Sequence, residues 1–409
     1  VLVRTEVGDG VCGCEGETMI SDWTLWLEWF IKGLVVTLAL LTGFAYLTWY
    51  ERRALARLQV RIGPNRAGPQ GLLQPIADAV KLIFKEELTP GKADRLVFFW
   101  APVITLVPSI IIAAVIPWGT SFVMFDRVIE LYVADLNVGV LYLMSIASIA
   151  VYGIVLAGWA SNNKYAMLGG LRSSAQMISY ELALGLSFVT SIILANSMRM
   201  LDIVDAQKTM WFVVVQPVGA MIFWIATLAE VNRAPFDMPE AEQELTAGYH
   251  SEYSGMKFAL FFMAEYQKMI VICAIAATLY FGGFREFGFL RNTFFSVDYT
   301  WMLGSMQITN WFLGPVYLFL KVVALLFGMI WVRATWPRIR YDRLMSFGWK
   351  VMLPLSLAIT FITATGISLA EIYQNQLFFW AIPVVSIIVG LFTVAMIYRE
   401  LRRKAYERA

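Results

Sequence analysis

Residues 257–281, KFALFFMAEYQKMIVICAIAATLYF, determine the fold class of this chain. A helix needs about 20 mainly apolar residues to cross a bilayer, and this run is long enough. Similar runs recur at about 29–50, 98–117, 137–158, 174–196, 211–230, 313–333, 349–371 and 378–398. The sequence therefore predicts an all-α polytopic membrane protein, a bundle of about nine transmembrane helices joined by amphipathic and acidic loops.

The composition agrees with a membrane protein. Of the 409 residues, 59% are hydrophobic and only 15% are charged, and the mean hydropathy is +0.65. The longest stretch outside the predicted spans is 51–97, which contains a helical segment of its own at 72–87. No room remains for a soluble domain of useful size, so we expect the chain to contact the lipid bilayer and no nucleic acid.

The loops differ in their content of lysine and arginine, which predicts the orientation of the chain. Cytoplasmic loops of membrane proteins are enriched in these residues. Most of the basic loop residues fall in one alternating set of segments, 52–97, 159–173, 231–256, 333–348 and 399–409. We therefore expect a cytoplasmic C-terminus and an N-terminus on the opposite side of the membrane.

Three regions follow from the span pattern. Residues 1–28 form an N-terminal leader, 29–371 a membrane domain with eight spans, and 372–409 a ninth span with a basic cytoplasmic tail. The leader carries four carboxylates before Met19. We expect the natural chain to begin at Met19.

An acidic segment between the fifth and sixth predicted spans is the main functional candidate. Its carboxylates share the segment with a single arginine, Arg233, and they are Glu230, Asp237, Glu240, Glu242, Glu244 and Glu252. Carboxylates near hydrocarbon are costly and are usually functional, and a close group of them titrates as a coupled set. The segment predicts proton handling or a polar ligand chamber.

Candidate ligands for a redox metal are scarce. The chain has three cysteines and one histidine, at Cys12, Cys14, Cys273 and His250. An iron–sulfur cluster usually takes four cysteines, and a bis-histidine haem takes two histidines. We therefore expect no metal and no cofactor bound by this chain, with Cys273 as a small apolar filler in a span and His250 as a polar loop residue.

Charged residues of both signs also follow the first span. Glu51, Arg52, Arg61 and Asp78 combine opposite charges at the expected membrane surface, which predicts an ion network at a docking face or portal. For the neighbouring Arg53 and Arg57, a positive-inside anchor with snorkelling side chains is the alternative.

Charged residues within the later spans form a third group. Glu181 lies about two turns into its span, so it should be protonated, paired or hydrated; a satisfied contact between helices is the simpler alternative. Glu265 and Lys268 are one turn apart and can pair along their helix. With Lys321 in the seventh span, these residues suggest a polar pathway through the bundle.

Three long strings resemble a known family. They are ERRALARLQVRIGPNRAGPQGLLQPIADAVKLIFKE (51–86), GWASNNKYAMLGGLRSSAQMISYE (158–181) and AEVNRAPFDMPEAEQELTAGYHSEYSGMKFALFFMAEY (229–266). All three are similar to the H-type membrane subunits of the proton-translocating NADH:quinone oxidoreductases, respiratory complex I. The resemblance covers roughly 50–350, and the ninth span with its basic tail is similar to the bacterial form.

The resemblance implies a multi-pass subunit of a bacterial cytoplasmic membrane that forms the membrane side of a quinone chamber. It implies no catalytic residue in this subunit alone. The chamber and entrance residues that it implies are Arg52, Arg61, Asp78, Arg233, Phe236, Asp237 and Tyr266. The proton-coupling residues that it implies are Glu181, Glu230, Glu240, Glu242, Glu244, Glu252 and Glu265.

The same resemblance implies the surroundings of the chain. Quinone is the substrate, and iron–sulfur clusters and FMN are expected in partner subunits. Those partners are the iron–sulfur subunits of the hydrophilic arm, small membrane subunits and antiporter-like subunits. Two alternatives remain open: the equivalent subunit of a membrane-bound hydrogenase or a ferredoxin- or F420-linked dehydrogenase, and a stand-alone ion transporter.

Overall fold

The structure is a computed structural model that describes residues 22–124, 127–238, 248–286, 296–297, 300–303, 306–310 and 312–406. The acidic segment is therefore covered only in part. Glu240, Glu242 and Glu244 lie outside the described residues, as does the expected start at Met19.

Helices make up most of the described chain. In chain order they are α1 Asp22–Leu58, α2 Gln74–Ile83, α3 Arg95–Ala113, α4 Gly139–Ala160, α5 Lys164–Ala195, α6 Met200–Ala206, α7 Phe212–Val215, α8 Pro217–Glu230, α9 Gly255–Tyr280, α10 Leu313–Thr335, α11 Tyr341–Phe347, α12 Leu353–Tyr373 and α13 Gln376–Tyr406. A π-helical turn, Gly348–Met352, joins α11 to α12. Two short antiparallel hairpins pair β1 Phe122–Met124 with β2 Arg127–Ile129 and β3 Thr300–Leu303 with β4 Met306–Thr309.

The helix lengths confirm an all-α polytopic membrane protein. Among the described residues, eight helices are long and apolar enough to cross a membrane, and α8 is a shorter apolar helix. The predicted span 211–230 differs from a continuous helix, because Gln216 has non-helical backbone angles and Pro217 starts α8. The 14 residues of α8 extend only about 21 Å, less than the roughly 30 Å hydrocarbon core.

The connection between α1 and α2 is not a continuous helix, as its glycine and proline residues favour. Helix α1 ends at Leu58, and α2 occupies the middle of the predicted segment 72–87. Gly71 has a left-handed φ of +77°, and a Cβ there would lie 2.8 Å from the carbonyl carbon of Pro64. Glycine is therefore required to turn the chain back along α1 towards α2.

Close helix packing forms the core behind the acidic segment. Helix α4 packs against both α3 and α5. Helix α5 also packs against α8, and α9 packs against α3. At Gly153 of α4, a Cβ would lie 2.8 Å from the backbone nitrogen of Thr105 and 2.9 Å from the carbonyl oxygen of Ala101. The backbones of α3 and α4 therefore approach too closely for a larger residue. This rigid unit supports the end of α8, where the candidate site begins.

Candidate functional site

A buried turn after α8 positions the only arginine of the acidic segment. Asn232 adopts a left-handed φ of +54°, which asparagine tolerates better than most residues. The side-chain amide of Gln176, on α5, donates to the carbonyl oxygens of Ala229 (2.9 Å) and Phe236 (2.7 Å) and to the side chain of Asn232 (3.2 Å). The side chain of Gln176 thus binds the backbone before and after the turn, and this holds Arg233 in place.

Arg233 lies between two carboxylates from different helices. Its guanidinium is 2.9 Å from Glu265 of α9 and 3.4 Å from Glu51 of α1, and it lies 4.3 Å from the ring centroid of Tyr266. Glu51 also pairs with Arg333 of α10. We call these four residues, Glu51, Arg233, Glu265 and Arg333, the charged cluster.

Electrostatics keep Arg233 charged although only 3% of its side chain is exposed. Burial by itself lowers the pKa of Arg233, but the carboxylates of Glu265 and Glu51 raise that pKa above its ordinary value. A charge-assisted contact to each carboxylate compensates for the lost hydration. The arginine therefore acts as a fixed positive charge shared by two acids.

A second ion pair lies next to the charged cluster. Lys268 of α9 bonds to Glu230 at the end of α8, and the Glu230 side chain is 3% exposed. A cavity of about 30 Å³ lies between Glu230, Glu265 and Lys268, which is about the volume of one water molecule. The sequence predicted pairing of Glu265 with Lys268 along the helix; both side chains instead make their ion pairs to other segments.

Two larger cavities meet at Tyr266. A cavity of about 400 Å³, which we call the charged cavity, is lined by Glu51, Arg333 and Tyr266 and lies between α1, α9 and α10. A second cavity of about 410 Å³, the lateral cavity, lies between α1, α2 and α9. Arg52 and Tyr266 line both. The two cavities therefore form adjoining chambers beside the charged cluster.

The lateral cavity is apolar except at one end. Its walls include Phe44, Leu82 and Phe258. At the polar end Arg52 bonds to Asp78 at 2.7 Å, which joins α1 to α2. Of the predicted ion network after the first span, the Arg52–Asp78 pair is thus present, and it lines a cavity that an apolar ligand could fill.

The remaining predicted residues lie at different places around this centre. Phe236 is buried in the core, with its ring centroid 5.6 Å from that of Tyr180. Asp237 is buried beside it in the chain. Arg61 is exposed and donates at 2.7 Å to the side chain of Gln59, which lines the charged cavity. Arg61 therefore lies at the edge of the site rather than in it.

Two further acids are held by polar contacts with neighbouring helices. Glu181 of α5 is half-buried and accepts a hydrogen bond from the Ser148 hydroxyl of α4, as expected for a charged group that needs a partner at this depth. The side-chain amide of Asn163 donates to Glu252 at 2.7 Å. Both acids are held at the flanks of the site.

The position of Lys321 differs from the predicted polar pathway. Its ammonium group donates to the carbonyl oxygens of Phe281 (2.7 Å) and Gly283 (2.8 Å) just beyond α9, and it lies 4.7 Å from the ring centroid of Trp211. Phe281 is thirteen residues beyond Lys268, or about 20 Å along a helix. Lys321 therefore caps the far end of α9 and does not join the charged cluster.

Cys273 and His250 lie in apolar surroundings at separate places in the described chain. Cys273 is fully buried, 3.8 Å from the sulfur of Met329, which confirms its role as an apolar filler. His250 lies in a short turn between helices, Gly248–His250, as predicted, and there it is a buried member of an aromatic group, with its ring centroid 5.4 Å from that of Phe261. Within the described residues, no group of three candidate ligands could hold a metal ion.

Three residues of the site, Arg333, Lys268 and Glu51, lie outside the chamber and proton-coupling sets that the resemblance implies. Charge and helical spacing place Lys268 beside Glu265 and Glu51 at the membrane surface, and they assign no role to Arg333. Glu51 is instead only 3% exposed. The excess of acidic residues at 230–253 is the signal in the sequence that buried cations should lie opposite.

Comparison with known proteins agrees with this geometry. Residues 31–364 match the NADH dehydrogenase family. The chain is 48% identical over 351 residues to the NADH-quinone oxidoreductase H subunit numbered 2 of Geobacter metallireducens, covering 83% of this chain and 95% of that protein. It is 47% identical over 346 residues to the H subunit of Thermomicrobium roseum, covering 82% and 95%, and 43% identical over 349 residues to the H subunit of Rhodospirillum centenum, covering 83% and 96%. The chain therefore belongs to the NADH dehydrogenase family, within the group of H subunits of the NADH-quinone oxidoreductases.

Proposed function

We propose that this chain is the complex I membrane subunit that forms the membrane side of the quinone chamber and couples quinone reduction to proton translocation. The eight spanning helices and the bacterial relatives make it a multi-pass bacterial membrane protein. The distribution of basic residues favours a cytoplasmic C-terminus. The charged cluster then lies near the cytoplasmic surface, where a hydrophilic arm would dock.

One observation carries the proposal: Tyr266 lines both cavities and also packs against Arg233. A quinone has a long apolar tail and a polar head. The lateral cavity offers an apolar wall for the tail, and the Arg52–Asp78 pair marks its polar end. A molecule that fills these chambers would therefore contact the residue that packs against the buried arginine.

The cofactors and the substrate of the proposed reaction are assigned to different subunits. We infer that NADH, FMN and the iron–sulfur clusters belong to partner subunits, and that quinone is the substrate shared with this chain. The partners are the iron–sulfur subunits of the arm, the small membrane subunits and the antiporter-like subunits. No catalytic residue is assigned to this subunit alone.

The charged cluster supplies a physical route for coupling. Reduction of a quinone takes up two protons and places transient negative charge near Tyr266. Arg233 contacts both Glu51 and Glu265, so we infer that a change of charge nearby redistributes the contacts of Arg233 between these two acids and couples them. The Glu230–Lys268 pair is the next titratable unit along α9.

The outer acids complete the proposed path. Glu181 lies beyond Glu230 towards α4, and Glu252 lies on the loop side; Glu240, Glu242 and Glu244 belong to the same acidic segment. Moving one elementary charge across about 100 mV requires roughly 2.3 kcal/mol. Redox energy rather than local binding must therefore supply the work of translocation.

The proposal is tested by purifying the assembly through a C-terminal tag in mild detergent. We expect iron–sulfur subunits to co-purify, and NADH-driven quinone reduction to be sensitive to a quinone-site inhibitor. Co-purification of hydrogenase-like subunits without quinone reduction would assign the chain to the related hydrogenase or dehydrogenase machines. A chain that purified alone and transported ions would support the transporter alternative.

A further inference from the structure

A groove on the face of α1 opposite the lateral cavity shares no lining residue with either chamber. It has a volume of about 590 Å³ and lies between α1, α9 and α10. Its lining includes Leu40, Tyr46, Trp49, Ile270, Phe319 and Leu326. We call it the outer groove. Tyr46 is 48% exposed and Phe319 is 65% exposed, so the groove opens at the surface of the described chain.

The dimensions of the outer groove match one leaflet of a bilayer. Its lining on α1 runs from Ala39 to Tyr50, about 17 Å at 1.5 Å per residue. Half of a roughly 30 Å hydrocarbon core is about 15 Å. At Gly43 a Cβ would lie only 3.2 Å from the Cδ1 atom of Ile270, so α1 and α9 approach closely at the floor of the groove.

Positive charge lies directly beyond one end of the groove. Tyr50 lines the groove, and Arg53 and Arg57 continue the same face of α1 at helical spacing. The guanidinium of Arg53 lies 5.2 Å from the ring centroid of Trp49, and its Nη1 donates at 3.0 Å to the side chain of Gln70. The indole of Trp49 donates to the carbonyl oxygen of Gln70 at 3.2 Å. A fixed arginine therefore stands next to an aromatic residue of the groove wall.

We propose that the outer groove is a binding site for one anionic phospholipid. An acyl chain would lie along the apolar wall, and the phosphate would contact Arg53 and Arg57. Arginine forms paired hydrogen bonds with phosphate oxygens, and a tryptophan at the headgroup level is typical of the membrane interface. The proposal is independent of quinone binding, because the outer groove shares no lining residue with either proposed quinone chamber.

The test uses the purified complex with a phosphatidylglycerol that carries a diazirine in its acyl chain. The matched probe is phosphatidylcholine with the same chain. After irradiation, labelled peptides are identified by mass spectrometry. We expect the phosphatidylglycerol probe to label the groove stretches of α1 and α10 several-fold more than the phosphatidylcholine probe. Unlabelled phosphatidylglycerol should compete with it.

Variants separate a specific site from ordinary lipid contact. A surface arginine contributes about 1 kcal/mol to binding an anionic lipid, or about fivefold in affinity. Arg53→Gln and Arg57→Gln should each weaken competition by about that factor, whereas Arg343→Gln, an exposed arginine elsewhere, should not. Ala39→Trp, which fills the groove from its exposed edge, should reduce the labelling without changing the headgroup residues.

Three outcomes would overturn the proposal. Equal labelling by both probes would show only bulk lipid at this surface. Labelling that Arg53→Gln, Arg57→Gln and Ala39→Trp all leave unchanged would place the lipid elsewhere. Competition by quinone rather than by phosphatidylglycerol would identify a different occupant.

Discussion

Replacing Arg233 by methionine removes the buried charge on which the site depends. Arg233 and Glu51 are each 3% exposed and Glu265 is 16% exposed. Removing one partner of a buried ion pair costs about 3–5 kcal/mol, and loss of the contact with Tyr266 adds about 1 kcal/mol. Glu51 keeps Arg333, so most of the cost comes from Glu265. We expect Arg233→Met to lower the stability of this region by about 4 kcal/mol, within the range for a broken buried pair.

The assay combines the midpoint of thermal inactivation of the purified complex with its inhibitor-sensitive rate of NADH:quinone reduction. Arg233→Met should lower both. The double variant Arg233→Met/Glu265→Gln removes the orphaned carboxylate as well, so it should recover about 1–2 kcal/mol of the loss. Arg340→Met is the control, because its pair with Asp342 is exposed and surface pairs contribute about 0–1 kcal/mol.

Two results would refute this reasoning. An Arg233→Met complex with the wild-type inactivation midpoint and rate would show that the buried arginine does not hold the site together. The second result concerns the double variant. If its loss of stability equals the sum of the losses measured for Arg233→Met and Glu265→Gln singly, the two residues are not coupled.

Three further predictions follow from individual contacts. Glu230→Gln keeps the shape of the side chain but removes the charge that faces Lys268, so the complex should assemble while quinone-reductase turnover falls; Glu371→Gln, at an exposed position, should leave turnover at the wild-type value. Cys273→Ala should leave the turnover of the complex unchanged and destabilise it by about 1 kcal/mol, measured as a small fall in the midpoint of thermal inactivation, because a buried sulfur leaves only a small void. Gly153→Val should reduce the amount of assembled complex on a native gel, because the side chain would overlap the backbone of α3 and overpacking costs about 1–3 kcal/mol or more.

The sequence predicted the fold class well because a bilayer imposes a strong length and composition requirement. Runs of about 20 apolar residues have few alternatives to spanning helices. The break at Gln216 and Pro217 was harder to foresee. Proline is common in the first turn of a helix, but it can also occur within a membrane span. Only the packing of Gln216 in the core distinguishes these cases.

Arg233 and Glu265 of the charged cluster were predictable from the sequence, but the burial of Glu51 and its pairing with Arg333 were not. An excess of acids next to apolar runs indicated function without alignment or structure. Which cation meets which acid depends on how α1, α9 and α10 cross, and these helices are far apart in sequence. Arg333 and Glu51 therefore meet across 282 residues of chain, a contact for which helical spacing carries no signal.

We infer that quinone occupies the two chambers that meet at Tyr266. The most direct measurement is photolabelling of the purified complex with an azido-quinone, with and without a quinone-site inhibitor, followed by peptide mapping. We expect inhibitor-protected labelling on α1 around residues 44–52 and on α9 around residues 258–266, which contribute to the lining of the lateral cavity. Inhibitor-protected labelling confined to other helices or to other subunits would contradict it.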